Sequence, residues 1–124
     1  MSYFLSLYSL CLPAIAAGCK YTRLHNELAT MGRGKMKAFG NSMTPILKSG
    51  VLLTIEKRND YDTGDIVFCK VEGRYIDAHK ITKNDPIKGW LISNNHGWDN
   101  GWTRTVFGKV VEAEYKKNII YTSK

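Results

Sequence analysis

The stretch GDIVFCKVEGRYIDAHKI, residues 64–81, decides how this chain is read. Two runs rich in β-branched and aromatic residues, 66–71 and 74–82, flank Glu72-Gly73. That dipeptide suits a two-residue hairpin turn, because glycine accepts the positive φ such turns demand. Gly64-Asp65 closes the polar loop 58–65 and turns the chain into the first of the two strands. Working outward, residues 36–39, 51–56 (VLLTIE), 89–94 (GWLISN), 105–115 and 118–122 have the same strand character. NDP at 84–86 breaks the chain, and NHGWDNGW at 95–102 reads as a Gly/Asn-rich loop. Short strands separated by turn residues define a compact, antiparallel, mainly β domain over residues 36–124.

The N-terminal third differs. TRLHNELATM, residues 22–31, places Leu24, Leu28 and Met31 at helical spacing, with Gly32 as a stop. His25 in this helix is a surface or packing residue, and GRGK at 32–35 reads as a linker. Residues 1–35 therefore form an apolar arm with a short helix, ahead of the β domain. The first nineteen residues, MSYFLSLYSLCLPAIAAGC, carry no charge. A basic n-region for secretion is missing, and Pro13 interrupts a run that is short for a membrane span. Packing of the arm on its own domain or on a partner subunit ranks first, so a homodimer is one expectation. Membrane attachment through residues 3–19 ranks second. The charges that follow it, from Lys20 to Lys37, would hold the domain in the cytoplasm. Met31 and Met36 also offer internal start sites.

Composition narrows the classes further. At 124 residues and 44% hydrophobic content, one domain can bury a core without staples. Cys11, Cys19 and Cys69 form no CxxC pair, which disfavours a disulfide framework or a zinc site and fits a reducing, cytoplasmic setting. No metal or cofactor is expected. The net charge of +7 is spread along the chain with acids between the bases, and no basic helix or aromatic RNA-binding motif accompanies it. Specific nucleic-acid binding is not expected.

AFGNSMTPILKSG, residues 38–50, raises the functional question. Ser42 sits in a turn, where serine is usually only a turn former. A nucleophilic serine needs a base, and histidine, with an ordinary pKa of about 6.5, is suited to that task. His25, His79 and His96 are available. Strict alternation puts Tyr75, Asp77 and His79 on one face of their strand and Ile76, Ala78 and Lys80 on the other. Alternation alone does not single out His79.

GNSMTPILKSG, then GDIVFCKVEGRYIDAHKI, then FGKVV resembles the clan that joins LexA/UmuD-type self-cleaving proteins and type I signal peptidases. Three ordered elements at family spacing, over residues 36–113, carry the likeness. The resemblance implies a serine endopeptidase with Ser42 as nucleophile. The tetrapeptide that carries the base lysine of the LexA/UmuD branch reads Ala78-His79-Lys80-Ile81 here, so His79 is the implied base and Lys80 its rival. Gly40 offers no side-chain hydroxyl to an oxyanion hole, which leaves the backbone N–H groups of Ser42 and Met43. Asp99 and Asp77 are the possible third members that would orient the imidazole. The implied substrate is a peptide or protein, including the chain's own arm at Ala17-Gly18. Two other readings stand beside this one. The first is a non-catalytic β module that binds a partner through Trp90, Trp98 and Trp102. The second is a membrane-anchored signal peptidase, which the positive flank argues against.

Overall fold

A computed structural model describes residues 16–124 of the chain. Its one helix there, α1 (Ala16–Met31), starts earlier than the leucine spacing alone marks. Leu24 and Leu28 are buried, whereas Met31 is 78% exposed in the last turn and lies off the packed face. Gly32, at φ +73°, ends the helix by donating its N–H to the Leu28 carbonyl at 3.0 Å. This is the left-handed cap that glycine adopts without steric cost.

Eight antiparallel strands come after it: β1 (Arg33–Ala38), β2 (Val51–Glu56), β3 (Ile66–Val71), β4 (Arg74–Asp85), β5 (Gly89–Ser93), β6 (Asp99–Thr103), β7 (Thr105–Tyr115) and β8 (Asn118–Thr122). They pair in the order β1-β2-β7-β3-β4-β5-β6, with β8 beside β7. The domain is mainly β, as the sequence implies. Glu72 and Gly73 take φ of 49° and 79°, the pair of positive values that closes the β3–β4 hairpin with Val71 opposite Arg74.

Three segments differ from the sequence reading. GRGK is not a linker, because β1 begins at Arg33 and alternates exposed and buried residues from there. Gly34 suits that role: a Cβ there would meet Leu24 Cδ1 at 2.7 Å, so its absence lets α1 lie close on β1. The chain does not break at Asn84, since β4 runs through Asp85. The Asp85 carboxylate then accepts the N–H groups of Ile87 and Lys88, which forms the turn into β5. Finally, the second half of the expected loop, from Asp99, belongs to strand β6, which runs on to Thr103. Asp99, Asn100 and Gly101 have poor strand propensity, and pairing with β5 overrides it.

The core has two parts. One lies under α1, where Leu24 and Leu28 meet Met36, Leu53, Ile55, Phe68 and Val110, with Met43 and Leu47 at one end. Tyr21, His25, Tyr75 and Phe107 cover Phe68 as an aromatic cluster. The second part fills the curl of β3 to β6 with Tyr61, Val67, Cys69, Val71, Ile81 and Ile92. The curl is drawn together where Thr103 Oγ1 donates to the Lys70 carbonyl. β3 is buried on both faces, which explains its unbroken apolar run.

Burial pushes the Cys69 thiol up to about 12, and the charge of Asp77 adds to the effect. Thiolate is the reactive form, so Cys69 should be inert while the fold is intact. With Cys11 and Cys19 replaced by serine, a chromogenic disulfide reagent at pH 8 should react at least about 100-fold faster after unfolding in guanidinium. Equal rates would mean that β3 is not buried as described.

Candidate active site

The loop between β1 and β2 is built to hold one compact turn. Its ends are tied by Gly50 N–H to the Ala38 carbonyl at 2.8 Å and by Gly40 N–H to Ser49 Oγ at 3.0 Å. Gly40 has φ +112°, a conformation closed to residues with a Cβ at ordinary cost. Between these ties, the Asn41 carbonyl accepts both the N–H and the hydroxyl of Thr44, and Leu47 N–H reaches the Met43 carbonyl. Met43 and Leu47 point into the core and anchor the turn. Ser42, beside these anchors, is half-buried.

Facing it is β4, fixed by the Gly64-Asp65 turn. Gly64 N–H donates to the Ile81 carbonyl at 2.8 Å, and Ile81 N–H donates to the Asp65 carbonyl at 2.9 Å. The Asp65 side chain is held in turn by Lys109 Nζ at 3.2 Å. This pins β4 two residues beyond His79. Between Ile76 and His79 the strand carries one residue more than β3 opposite it, because Val67 pairs with His79 and Cys69 with Ile76. Such a bulge breaks the two-residue alternation and re-aims the side chains beyond it. Tyr75 and Ala78 accordingly join the core under α1, while Ile76 and Ile81 join the other part. The reading that put Tyr75, Asp77 and His79 on one face is overturned by this extra residue.

His79 and Ser42 meet, with Nε2 2.9 Å from Oγ. The other ring nitrogen, Nδ1, lies 2.6 Å from Asn100 Oδ1. Since the amide oxygen only accepts, Nδ1 carries the proton and Nε2 is left to accept from the Ser42 hydroxyl. Neither aspartate proposed for this place fills it. Asp99 instead accepts a hydrogen bond from Ser93 Oγ at 2.6 Å, and Asp77 accepts the Ala78 N–H at 3.0 Å. Asn100 is itself the extra residue of a second bulge: Ile92 pairs with Gly101 and Ser93 with Asp99. The strand period is broken on both sides of the imidazole.

The β5–β6 connection clamps the serine loop from above. Asn95 donates its N–H to the Ser42 carbonyl at 2.8 Å and its Nδ2 to the Thr44 carbonyl at 3.0 Å. Its Oδ1 accepts from Lys80 Nζ at 3.1 Å, so the rival base is engaged as a support of this loop. His96 Nε2 donates to the Asn41 carbonyl at 2.9 Å, and His25 packs on Phe107 while contacting the Tyr75 hydroxyl. Asn95 and Asn100 were not singled out by sequence reasoning, and His96 was weighed only as a base for Ser42. A stretch rich in Asn and Gly reads as turn chemistry, and nothing local marks which amide faces the histidine.

Beside Ser42 opens a small pocket of about 20 Å³. Its walls are Ala38, Met43, Leu47, Val51 and Ala78, and its rim holds Phe39, Lys48 and Asp77. That volume is little more than one water-sized sphere. The tryptophans do not share one face. Trp90 Nε1 donates to the Tyr61 carbonyl against the Tyr61 ring, Trp102 is half-buried under Lys88, and Trp98 is 71% exposed. No helix among the described residues is long and apolar enough to cross a membrane. Residues 3–15 of the arm lie outside the described residues.

Asn95→Ala would strand the Thr44 carbonyl and the Lys80 ammonium in a half-buried setting. We expect a loss of about 1–3 kcal/mol in denaturant unfolding, with the serine loop loosened before the rest of the fold. An unchanged midpoint would mean that the two side-chain bonds do not hold this loop.

No curated protein matches the chain. A family model described as Peptidase S24-like matches residues 21–111, from α1 through most of β7 and well over half of the sequence. Ser42, His79 and Asn100 all fall within the matched span. The chain belongs to the Peptidase S24-like family.

Proposed function

We propose that this protein is a serine endopeptidase in which Ser42 is the nucleophile, His79 the general base and Asn100 the residue that orients the imidazole. The observation that carries the reading is the relay from Ser42 Oγ to His79 Nε2 at 2.9 Å and from Nδ1 to Asn100 Oδ1 at 2.6 Å. Nucleophile, base and orienting group are each within hydrogen-bond reach of the next.

In the first step Ser42 Oγ attacks the carbonyl carbon of the scissile peptide and its proton passes to His79 Nε2. The oxyanion is received by the N–H groups of Ser42 and Met43, which donate to no protein group among the described residues. Collapse of the tetrahedral intermediate breaks the C–N bond, and the Nε2 proton goes to the departing amine. Water then attacks the acyl-serine, again giving its proton to His79, and Ser42 recovers its hydrogen on release of the acid. The small pocket beside Oγ suits a residue such as alanine on the acyl side of the bond. No step calls on a cofactor.

The chain's own arm is one substrate to test, at Ala17-Gly18. That bond lies in the first turn of α1, and cleavage requires this turn to open. Incubation of the wild type should then release residues 1–17, seen by intact mass, while Ser42→Ala stays whole. An arm that persists in both leaves the dyad to act on other chains.

A fluorophosphonate probe should label Ser42 in the wild type and not in Ser42→Ala or His79→Ala. The latter exchange should leave the fold within about 1 kcal/mol. Labelling that survives His79→Ala would remove the histidine from the mechanism. Asn100→Asp keeps the acceptor but puts a negative charge beside Nδ1–H, which favours the imidazolium. The rising limb of the rate profile should move to higher pH, whereas Asn100→Ala should lower the rate across the profile. A limb that stays in place in Asn100→Asp would mean that Asn100 does not address the base.

A further inference from the structure

Asp77 has no part in the relay, yet it lines the pocket beside Ser42. The residue is half-buried, and one carboxylate oxygen accepts the Ala78 N–H. An ionised carboxylate has room for about four hydrogen bonds, and the Ala78 N–H is the one protein donor that Asp77 meets among the described residues. No cation comes within ion-pair distance of it among the described residues. Two lysines nearby are occupied on aromatic faces: Lys48 Nζ lies 5.4 Å from the Tyr115 ring centre, and Lys20 Nζ lies 5.3 Å from that of Phe39. The carboxylate is felt locally, since after burial it is the next cause of the raised values of Tyr21 and Cys69. The bulge that re-aims β4 is also what seats Asp77 at this rim rather than on a regular strand face.

We infer that Asp77 is a specificity-determining residue that receives a Lys or Arg side chain of the substrate, two positions upstream of the small residue in the pocket. This rests on the peptidase reading above for the direction of the bound chain. A peptide presented to Ser42 must be extended for its carbonyl to reach Oγ and the Ser42 and Met43 N–H groups together. In an extended chain alternate side chains point the same way, about 6.6 Å apart. With a small side chain in the pocket, the residue two before it projects over the rim on the same side. A lysine or arginine there brings a cation to a carboxylate already partly withdrawn from water. A glutamate there would face like charge.

The test separates binding from catalysis. Two fluorescent decapeptides with an Ala-Gly bond, identical except for Lys or Glu two positions before the alanine, are titrated against the Ser42→Ala protein. The Lys peptide should bind about five- to tenfold more tightly at low salt, with the ratio shrinking in about 0.5 M salt. Asp77→Asn retains an acceptor for the Ala78 N–H, and should bring the ratio close to one. Asp77→Lys should reverse it. Equal affinities, binding of neither peptide, or a preference that survives Asp77→Asn overturns the subsite. Probe labelling of wild-type Ser42 reports on the catalytic reading by itself. A labelled protein without peptide preference loses the subsite alone. A preference in a protein that is never labelled keeps the subsite and loses the peptidase.

Discussion

The extra residue that β4 carries between Ile76 and His79 sets the position of nearly everything at the site. A regular strand would have kept His79 in phase with Tyr75, whose ring is committed to the cluster on Phe68. Breaking the phase lets Tyr75 and Ala78 remain in the core under α1 while the imidazole turns to Ser42. Because a bulge also leaves backbone and side chains out of ladder register, it seats Asp77 at the pocket rim. A single inserted residue thus aims the imidazole at Ser42 and places a carboxylate in the same pocket. The hydrogen bonds between the Gly64-Asp65 turn and Ile81 keep the geometry from relaxing, since they fix β4 just beyond the bulge.

Support for the serine comes from a different direction. Its loop is tied at the base by its own glycines, and from above by Asn95 and His96 of the β5–β6 connection. Asn100, bonded to the His79 imidazole, lies in the same segment, on β6. Ser42 and His79 therefore come from distant parts of the chain, and one short segment steadies both. That segment is rich in Asn and Gly for a physical reason. It must offer donors and acceptors to another loop's backbone while bending sharply enough to re-enter the sheet, with Gly97 at φ +85° and Gly101 at φ +133°. In the proposed relay, an amide as third member also differs from a carboxylate in kind. It fixes the tautomer of His79 without a charge to stabilise the imidazolium, so the field at the base is set more by its surroundings.

Much of the fold was legible in the residues because strand, turn and helix signals were local. The hairpin at Glu72-Gly73, the helix through Leu24 and Leu28, and the mainly β character all come from short-range pattern. The meeting of Ser42 and His79 was legible through their motifs and spacing. The features that stayed hidden have a common cause. β6, Asn100 and the facing of β4 depend on bulges, which add one residue to one strand and are visible only once its partner is known. Asp99 was the natural choice for the third member because it is a carboxylate in the right segment. The structure gives that place to its neighbour, since Asp99 stands opposite Ser93 and is bonded to it. GRGK was misread for a similar reason. Its two glycines suggest flexibility, but Gly34 is there to admit the Leu24 side chain rather than to loosen the chain.

The pocket and its rim bear on whether the proposed dyad would act on its own chain. α1 begins close to the site, because Lys20 lies over Phe39, a rim residue. Nearness raises the effective concentration of the arm without any new contact. Against that stands the composition of the arm. Counting two residues back from Ala17 gives Ile15, and the segment before it has no cation to offer Asp77. Cleavage of Ala17-Gly18 also requires the first turn of α1 to open. Proximity thus favours cutting in cis, whereas the charge at the rim favours a basic sequence on another chain. The two effects differ in how they respond to salt and dilution. A tethered apolar arm gains from neither charge nor concentration, so a rate that falls with added salt and with dilution marks a separate, cationic substrate.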